Sequence, residues 1–154
     1  MNCCKELIKN HKSFEECFES ATSTPREKGM QFKIIKRTNP KENFCRIKVD
    51  DCLIKDNSIK KCDYVFVRCS NNDFYFVELK RRNKVVEAYE QIIRTIEYFK
   101  ENKFNVTKDN TYGFIASAGI PTYANLKLQK LQANFKKDYG KELKKGTNCF
   151  MYYI

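Results

Sequence analysis

The chain has 154 residues, of which 42% are hydrophobic and 14% aromatic, and this composition excludes an intrinsically disordered protein. Its formal net charge of +11 suits an anionic partner, either nucleic acid or an acidic membrane surface, or reflects only a composition rich in Lys and Asn. No run approaches the roughly 18 apolar residues that a membrane span needs, which argues against a membrane-spanning protein.

The N-terminal segment is predicted to form a helix over roughly residues 4–20. Its apolar positions fall at helical spacing, namely at Cys4, Leu7, Ile8, His11, Phe14 and Phe18. The same segment lacks the apolar block of a signal peptide. We therefore expect a soluble, cytoplasmic protein that resides in a reducing compartment.

The chain contains eight cysteines, which in a reducing compartment are expected to be mostly free thiols and not a disulfide framework. Two sets can be drawn as zinc ligands: Cys3, Cys4, His11 and Cys17, or Cys52, Cys62 and Cys69. Neither set has the paired spacing of a structural zinc site. We therefore expect the thiols to pack as small hydrophobic groups.

Four strands are predicted between the first helix and residue 80. The segment ATSTPREKG ends the helical pattern, and the segments MQFKIIK and NFCRIKVDDCLI are then typical of strands. The next two strands are CDYVFVRC and FYFVELK. Between them, SNND has the residues of a tight turn, so these two strands should form an antiparallel hairpin.

The second half of the chain changes to a helical period. A stripe of apolar residues predicts an amphipathic helix from Lys84 to Lys100. The strand TYGFIASAG, a basic helix over roughly residues 122–138 and the strand NCFMYYI follow. The element order is therefore α-β-β-β-β-α-β-α-β. It predicts a single α/β domain over residues 1–154, in which a mixed central β-sheet is flanked by helices.

The predicted hairpin carries two carboxylates and an amine among apolar residues. Asp63 lies at the start of one strand and Glu78 near the end of the next, so antiparallel pairing brings them to the same edge of the sheet. A buried carboxylate is costly unless it is paired or binds a metal. With the backbone carbonyl of Leu79, these two acids offer the hard oxygen ligands that Mg²⁺ prefers. Lys80 lies beside them, where it could hold a water or neutralise charge on a phosphate.

These residues resemble the site of the PD-(D/E)xK nuclease superfamily, which has the restriction-endonuclease-like fold. The matching parts are Asp63 in KCDYVFV, Glu78-Leu79-Lys80 in FVELK and the amphipathic helix that follows, with Cys62 where the family usually has proline. The junction-resolvase and repair-nuclease branches are the most similar. The resemblance implies a mixed sheet flanked by helices, Mg²⁺ bound by the aspartate and the glutamate, and a lysine that serves the attacking water.

The resemblance also implies contributions from outside the hairpin. Several members carry a glutamine on the following helix, and Gln91 is the matching position here. A glutamate is often supplied by the first helix, for which Glu15 is preferred over Glu16 and Glu19. Asp50 and Asp51, at the end of the preceding strand, could be extra metal ligands or simple turn formers, and Asp50 is preferred as a group that supports the ligands without binding the metal.

Basic residues are expected to form the substrate side. They are Arg81, Arg82 and Lys84 beside the site, and Lys127, Lys130, Lys136 and Lys137 on the last helix. Such residues neutralise phosphates without reading sequence. We therefore expect a Mg²⁺-dependent DNA endonuclease, with Mn²⁺ able to substitute, that is structure-directed or weakly sequence-specific. A homodimer and an RNA substrate both stay open.

Two other interpretations stay open. A non-catalytic nucleic-acid-binding or assembly protein could keep the same fold, and a structural protein could pair Asp63 and Glu78 with neighbouring cations. The single histidine argues against hydrolysis by paired histidines. The sequence also lacks a Gly-rich phosphate loop, which argues against ATP use.

Overall fold

The computed structural model describes residues 3–118 and 125–154, which form three α-helices and eight β-strands. The helices are α1 (Cys3–Asn10), α2 (Val85–Glu101) and α3 (Leu126–Asp138), with short 3₁₀ helices at Lys12–Cys17 and Lys108–Asn110. The strands are β1 (Phe18–Ser20), β2 (Gln31–Ile35), β3 (Phe44–Lys48), β4 (Tyr64–Arg68), β5 (Phe74–Lys80), β6 (Thr111–Ser117), β7 (Glu142–Gly146) and β8 (Cys149–Tyr153). Within these ranges, no helix combines the length and the apolar character that crossing a bilayer requires.

Six strands form one mixed sheet in the order β1-β3-β4-β5-β6-β7. The neighbours from β1 to β5 are antiparallel, whereas β5–β6 and β6–β7 are parallel. Parallel neighbours need a crossover connection, and α2 and α3 lie in these two connections. The predicted α/β class with a mixed sheet is therefore confirmed, and so are the β4–β5 hairpin and the helix that follows it.

One face of the sheet is covered by the helices. Phe76 of β5 belongs to a buried cluster with Ile92 of α2 and Phe135 of α3, and the same cluster includes cysteines of α1. Gly113 of β6 lets Phe135 of α3 pack close to the sheet, because a Cβ atom there would lie 3.3 Å from the Phe135 ring and 2.8 Å from Leu143 Cδ1 of β7. The amphipathic stripe of α2 is thus buried against the strands that carry the candidate site.

The other face is covered by β2 and β8, which pair with each other as a separate two-stranded parallel sheet. Aromatic rings make much of this contact. The ring centroid of Phe32 lies 4.9 Å from that of Phe114 and 5.5 Å from that of Phe150. The described helices therefore pack on one face of the central sheet, and a β-ribbon packs on the other.

The observed elements differ from the predicted order in three places. The first helix ends at Asn10, and a 3₁₀ helix and β1 follow, because Phe18–Ser20 pair with β3. β7 has no counterpart in the predicted order, since it lacks apolar alternation and becomes a strand by pairing with β6. β2 and β8 lie outside the central sheet. The last residue of TYGFIASAG and the first residues of the predicted helix 122–138 lie outside the described residues.

The cysteines depart furthest from expectation. Six of the eight form three disulfides, Cys3–Cys69, Cys4–Cys45 and Cys17–Cys52, and Cys62 and Cys149 are free. The prediction of mostly free thiols is therefore wrong, and neither drawn set of zinc ligands exists. Sequence spacing does not reveal such pairs, because a disulfide depends on tertiary folding that brings distant Cα atoms close together. Disulfides are typical of oxidising compartments, so these three bonds argue against the predicted reducing compartment.

Candidate active site

The β4–β5 hairpin places Asp63 and Glu78 side by side at its open end. Tyr64 pairs with Val77, and the Asp63 N–H donates to the Val77 carbonyl at 3.1 Å, so Asp63 and Glu78 are the next opposed positions. Both acids are buried, with Glu78 at 0% exposure and Asp63 at 7%. The geometry agrees with the sequence-based placement of both carboxylates at one edge of the sheet.

A lysine ammonium lies between the two acids. Lys28 Nζ is 3.2 Å from each carboxylate oxygen of Asp63, 3.0 Å from the carbonyl oxygen of Leu79 and 3.9 Å from Glu78 Oε2. Burial acts to lower the pKa of Lys28, but the charges of Asp63 and Glu78 outweigh it and raise that pKa. The three groups predicted to hold a metal thus converge on one cation.

Glu78 is the less satisfied of the two acids. Neither of its carboxylate oxygens accepts a hydrogen bond within the part of the chain that the structure describes. Burial, and then the neighbouring Asp63 carboxylate, raise the pKa of Glu78 well above its usual range, although Lys28 and Lys80 act in the opposite direction. By contrast, Asp63 Oδ2 accepts a hydrogen bond from the Leu79 N–H at 2.8 Å. A buried carboxylate beside a second acid is the arrangement that a divalent cation relieves.

Lys80 lies two residues beyond Glu78 on the same face of β5. Its Nζ is 3.3 Å from Glu78 Oε2 and 3.3 Å from Glu87 Oε1, and its side chain is only 13% exposed. Glu87 belongs to the first turn of α2, so the helix holds this amine next to the acid pair. Glu87 is not among the predicted site residues, and its only signal in the sequence is its place in the first turn of the helix that follows β5.

Helix α2 also fixes the chain just before β4. The Thr95 hydroxyl accepts a hydrogen bond from the Cys62 N–H at 2.7 Å and donates one to the Gln91 carbonyl at 2.7 Å. The Gln91 side-chain amide donates to the Lys61 carbonyl at 3.1 Å. Its Oε1 atom is buried and has no hydrogen-bond partner among the described residues. The predicted position of Gln91 near the acids therefore agrees with the structure.

A cleft of about 400 Å³ beside α2 opens onto Asp63. Its lining includes Lys28, Asp50, Asp63, Glu87 and Gln91. Asp50 is exposed at the rim, where its Oδ1 atom lies 4.0 Å from Lys61 Nζ. Its charge adds to those that raise the pKa of Lys28. Asp50 thus contributes negative charge from the rim of the cleft.

Comparison with protein-family models, curated proteins and solved structures finds no match for this chain. The resemblance to PD-(D/E)xK nucleases therefore rests on the site residues and their order. The donor set itself fits a hard divalent cation, because two carboxylates and a backbone carbonyl are oxygen ligands. Within it, the Lys28 ammonium marks the position on which these oxygens converge. The two oxygens of Glu78, which have no hydrogen-bond partner among the described residues, also fit a site for a divalent cation.

The structure places the glutamates of the first segment elsewhere. Glu15 and Glu16 are exposed on the 3₁₀ helix, and Glu19 accepts a hydrogen bond from Arg46 at 2.7 Å. None of the three lines either cleft at Asp63. The 3₁₀ helix and β1 replace the end of the predicted helix, so the expected helical face is not formed there.

Glu27 and Lys28, and not the glutamates of the first segment, lie beside Asp63. Glu27 lines a smaller cleft of about 220 Å³, of which Asp63 also forms part. Both residues come from the segment ATSTPREKG, which has no helical or strand periodicity. The only feature of this segment that indicates its local structure is Gly29, which follows Lys28 in a tight turn.

A second group of potential metal ligands, Glu16, Cys17 and Cys52, lies in the disulfide-linked region. Cys17 and Cys52 are bonded to each other, so neither offers the thiolate that binds a metal. This group therefore carries no metal site while the disulfide stands.

The predicted nucleic-acid-binding residues are all exposed: Arg81, Arg82, Lys84, Lys127, Lys130, Lys136 and Lys137. They divide between two regions. Lys127 lines a cleft of about 410 Å³ together with Lys84, at the start of α2 and therefore beside Lys80. Lys136 and Lys137 lie at the other end of α3, roughly 14 Å along the helix axis from Lys127. The basic residues close to the acid pair are those at the start of α2 and α3.

Proposed function

We propose that this protein is a Mg²⁺-dependent DNA endonuclease that hydrolyses phosphodiester bonds. The observation that carries the proposal is the convergence of oxygens from Asp63, Glu78 and Leu79 on a single cationic nitrogen. An acid pair with a purely structural role would be expected to have its oxygens satisfied. Here both oxygens of Glu78 lack a hydrogen-bond donor among the described residues, which supports a site built to receive a further ligand.

Asp63, Glu78 and the Leu79 carbonyl would hold the metal ion. When bound, a divalent cation supplies positive charge that polarises the phosphodiester and lowers the pKa of a coordinated water. Lys80, kept in place by Glu87, is positioned to orient the attacking water and to neutralise charge that develops on the phosphate. Gln91 lines the same cleft, and its buried amide oxygen has no hydrogen-bond partner among the described residues.

The basic residues beside the site would hold the nucleic acid backbone. Arg81, Arg82 and Lys84 lie on the exposed connection between β5 and α2, directly after Lys80. Exposed lysines and arginines contact phosphates, which position a duplex but carry little sequence information. We infer a substrate that is selected by structure or by weak sequence preference, and we include RNA among the substrates to test.

A cleavage assay tests this proposal. Supercoiled plasmid, single-stranded DNA, a flap, a four-way junction and single-stranded RNA are incubated with the protein in Mg²⁺, in Mn²⁺ and in EDTA. We expect metal-dependent cutting of at least one DNA substrate. Asp63→Asn and Lys80→Met should each slow it by at least about 100-fold. Lys41→Met, an exposed lysine remote from the site, should cut at the wild-type rate.

Two outcomes of this assay would contradict the proposal or part of it. If the wild-type protein leaves every DNA substrate intact in both metals, the endonuclease proposal is wrong. Equal cutting by the wild type and by Lys80→Met would instead remove Lys80 from the mechanism and point to a contaminating nuclease.

A catalytically silent nucleic-acid-binding protein of the same fold is the second candidate. The observation in its favour is that Lys28 already neutralises part of the acid cluster, as a permanent counter-ion would. Such a protein would bind DNA equally well in Mg²⁺ and in EDTA. Asp63→Asn would then leave both DNA binding and the absence of cleavage unchanged.

A further inference from the structure

Lys28 reaches the acid pair from the tip of a two-residue turn. Glu27 and Met30 exchange backbone hydrogen bonds at 2.9 and 2.7 Å, and the two residues between them have positive φ angles of 55° for Lys28 and 75° for Gly29. A tight turn with positive φ at both central positions favours Asn-Gly, and glycine is well suited to the second position. A lysine is uncommon at the first position, where a left-handed backbone disfavours its side chain. The choice of lysine therefore calls for an explanation outside the turn.

The contacts of the Lys28 ammonium provide that explanation. Its nitrogen lies 3.0 to 3.2 Å from Asp63 and the Leu79 carbonyl, the same oxygens that would bind a divalent cation, and 3.9 Å from Glu78. Two cations cannot occupy this one position, because like charges so close together repel strongly. A bound metal and the Lys28 ammonium are therefore mutually exclusive.

The surroundings of Lys28 favour exchange of its ammonium with a metal ion over permanent occupation of the metal position. The Lys28 side chain is 40% exposed, so its ammonium can return to water by rotation about side-chain bonds without unfolding the turn. The turn itself is held independently, since Arg26 Nη1 donates to the Gly29 carbonyl at 3.2 Å. Lys80 Nζ lies 3.3 Å and Lys28 Nζ 3.9 Å from Glu78 Oε2, yet neither oxygen of Glu78 accepts a hydrogen bond from a described residue. A divalent cation that coordinates both acids would satisfy this pair better than the Lys28 ammonium does.

We propose that Lys28 is an internal competitor of the metal ion: its ammonium occupies the metal position in the metal-free protein and leaves it when a divalent cation binds. This inference rests on the proposed nuclease site, because it assumes that the acid pair binds a metal. While no metal is bound, Lys28 bridges the two buried acids, Asp63 and Glu78. It thereby weakens the affinity of the site for the metal ion. Once released, the ammonium remains at the rim of the cleft, near the path of a phosphate backbone.

The test measures metal affinity and not cleavage. Lys28→Asn removes the ammonium and places Asn-Gly, the favoured pair, in the turn, so this variant should stay folded. Mn²⁺ binding is measured by calorimetry for the wild type, Lys28→Asn, Lys28→Arg and the charge-matched control Lys41→Asn. We expect Lys28→Asn to bind Mn²⁺ on the order of tenfold more tightly or better, because the competing charge is gone. Lys28→Arg and Lys41→Asn should stay close to the wild type.

Thermal unfolding of the same proteins provides the second readout. In EDTA, Lys28→Asn should melt at a lower temperature than the wild type, because the acid pair has lost its counter-ion. Mn²⁺ should abolish this difference in melting temperature. If Lys28→Asn and the wild type bind Mn²⁺ with equal affinity, competition is disproved while the metal site stands. If neither binds Mn²⁺, both the competition and the proposed metal site fail. Lys28 would then be a permanent counter-ion, and Mn²⁺ would not rescue the melting temperature of Lys28→Asn.

Discussion

Glu78 and Glu42 are buried glutamates at opposite ends of the β4–β5 hairpin, and their replacement by glutamine should change the pH dependence of stability in opposite directions. Glu78 lies in the acid pair, and its pKa is raised well above the usual range by burial and by Asp63. Glu42 is only 4% exposed, but its Oε1 atom accepts hydrogen bonds from Arg68 and Ser70. Burial alone would raise the pKa of Glu42, and these two partners outweigh it and lower the pKa.

The sign of each effect follows from which state holds the proton. As the pH rises above the ordinary glutamate pKa of 4.5, the unfolded chain releases the Glu78 proton while the folded metal-free protein retains it. The free energy of unfolding then falls by about 1.4 kcal/mol per pH unit until the folded carboxyl also ionises. Glu78→Gln removes this loss, so the variant should become progressively more stable than the wild type as the pH rises.

Glu42 behaves in the opposite way. Its stabilising effect is fully present above the ordinary glutamate pKa and is lost as the pH falls through the lowered pKa of the folded state. Glu42→Gln should therefore cost about 1 to 3 kcal/mol near neutral pH, because its hydrogen bonds lose their charge assistance. The cost should shrink in acid, where the wild-type carboxylate is itself protonated.

Urea unfolding in EDTA, from about pH 3 to about pH 8 and with the disulfides intact, measures both effects, that of Glu42 at the acidic end and that of Glu78 at the neutral end. Circular dichroism reports the folded fraction. Wild-type and Glu78→Gln free energies that run parallel over this range would refute the assigned environment of Glu78. Added Mn²⁺ should raise the stability of the wild type much more than that of Glu78→Gln, because the amide is a poor replacement for a carboxylate ligand.

Three further predictions concern the surroundings of the site. Thr95→Val should lower the free energy of unfolding by about 1 to 3 kcal/mol, because the buried Cys62 N–H loses its hydrogen-bond acceptor. Urea titration measures this loss, and the control Thr95→Ser, which keeps a hydroxyl, should retain most of the wild-type stability. Arg81→Ala combined with Arg82→Ala should reduce the slope of log affinity against log salt for duplex DNA by about 2 in fluorescence anisotropy, and Lys136→Ala with Lys137→Ala should reduce it less. Equal reductions would contradict the division of the basic surface into near and remote regions. Replacing both Cys17 and Cys52 by serine should lower the free energy of unfolding by up to about 4 kcal/mol, because the disulfide no longer closes a loop between residues 35 apart in the unfolded chain. An unchanged urea midpoint would argue against this disulfide.

The β4–β5 hairpin and α2 could be predicted because their signals are local. Alternating apolar residues, the SNND turn and the apolar stripe of α2 lie within short segments, and the opposed positions of Asp63 and Glu78 follow from antiparallel pairing. β7 shows the opposite case. Glu142–Gly146 is polar and forms a strand only because β6 offers it a partner. A pattern that depends on a neighbour is not visible in the segment itself.

The contribution of Lys28 could not be predicted for a similar reason. Lys28 and Asp63 are 35 residues apart, and they meet only because the turn before β2 folds over the end of the central sheet. The disulfides also join distant positions, such as Cys3 and Cys69, which are 66 residues apart. Such contacts depend on the closure of long loops, for which a single sequence carries no periodic signal.

The pairing of β2 with β8 has a consequence for biosynthesis. β2 begins directly after the turn that carries Lys28, and its Gln31 N–H donates to the Asn148 carbonyl at 2.8 Å, far along the chain. While the ribosome is still translating that distant segment, the nascent polypeptide can already form the hairpin with Asp63 and Glu78. The pairing that completes the β2–β8 ribbon therefore forms only after residues 149–153 have been made, whereas the hairpin that carries the two acids can form before them.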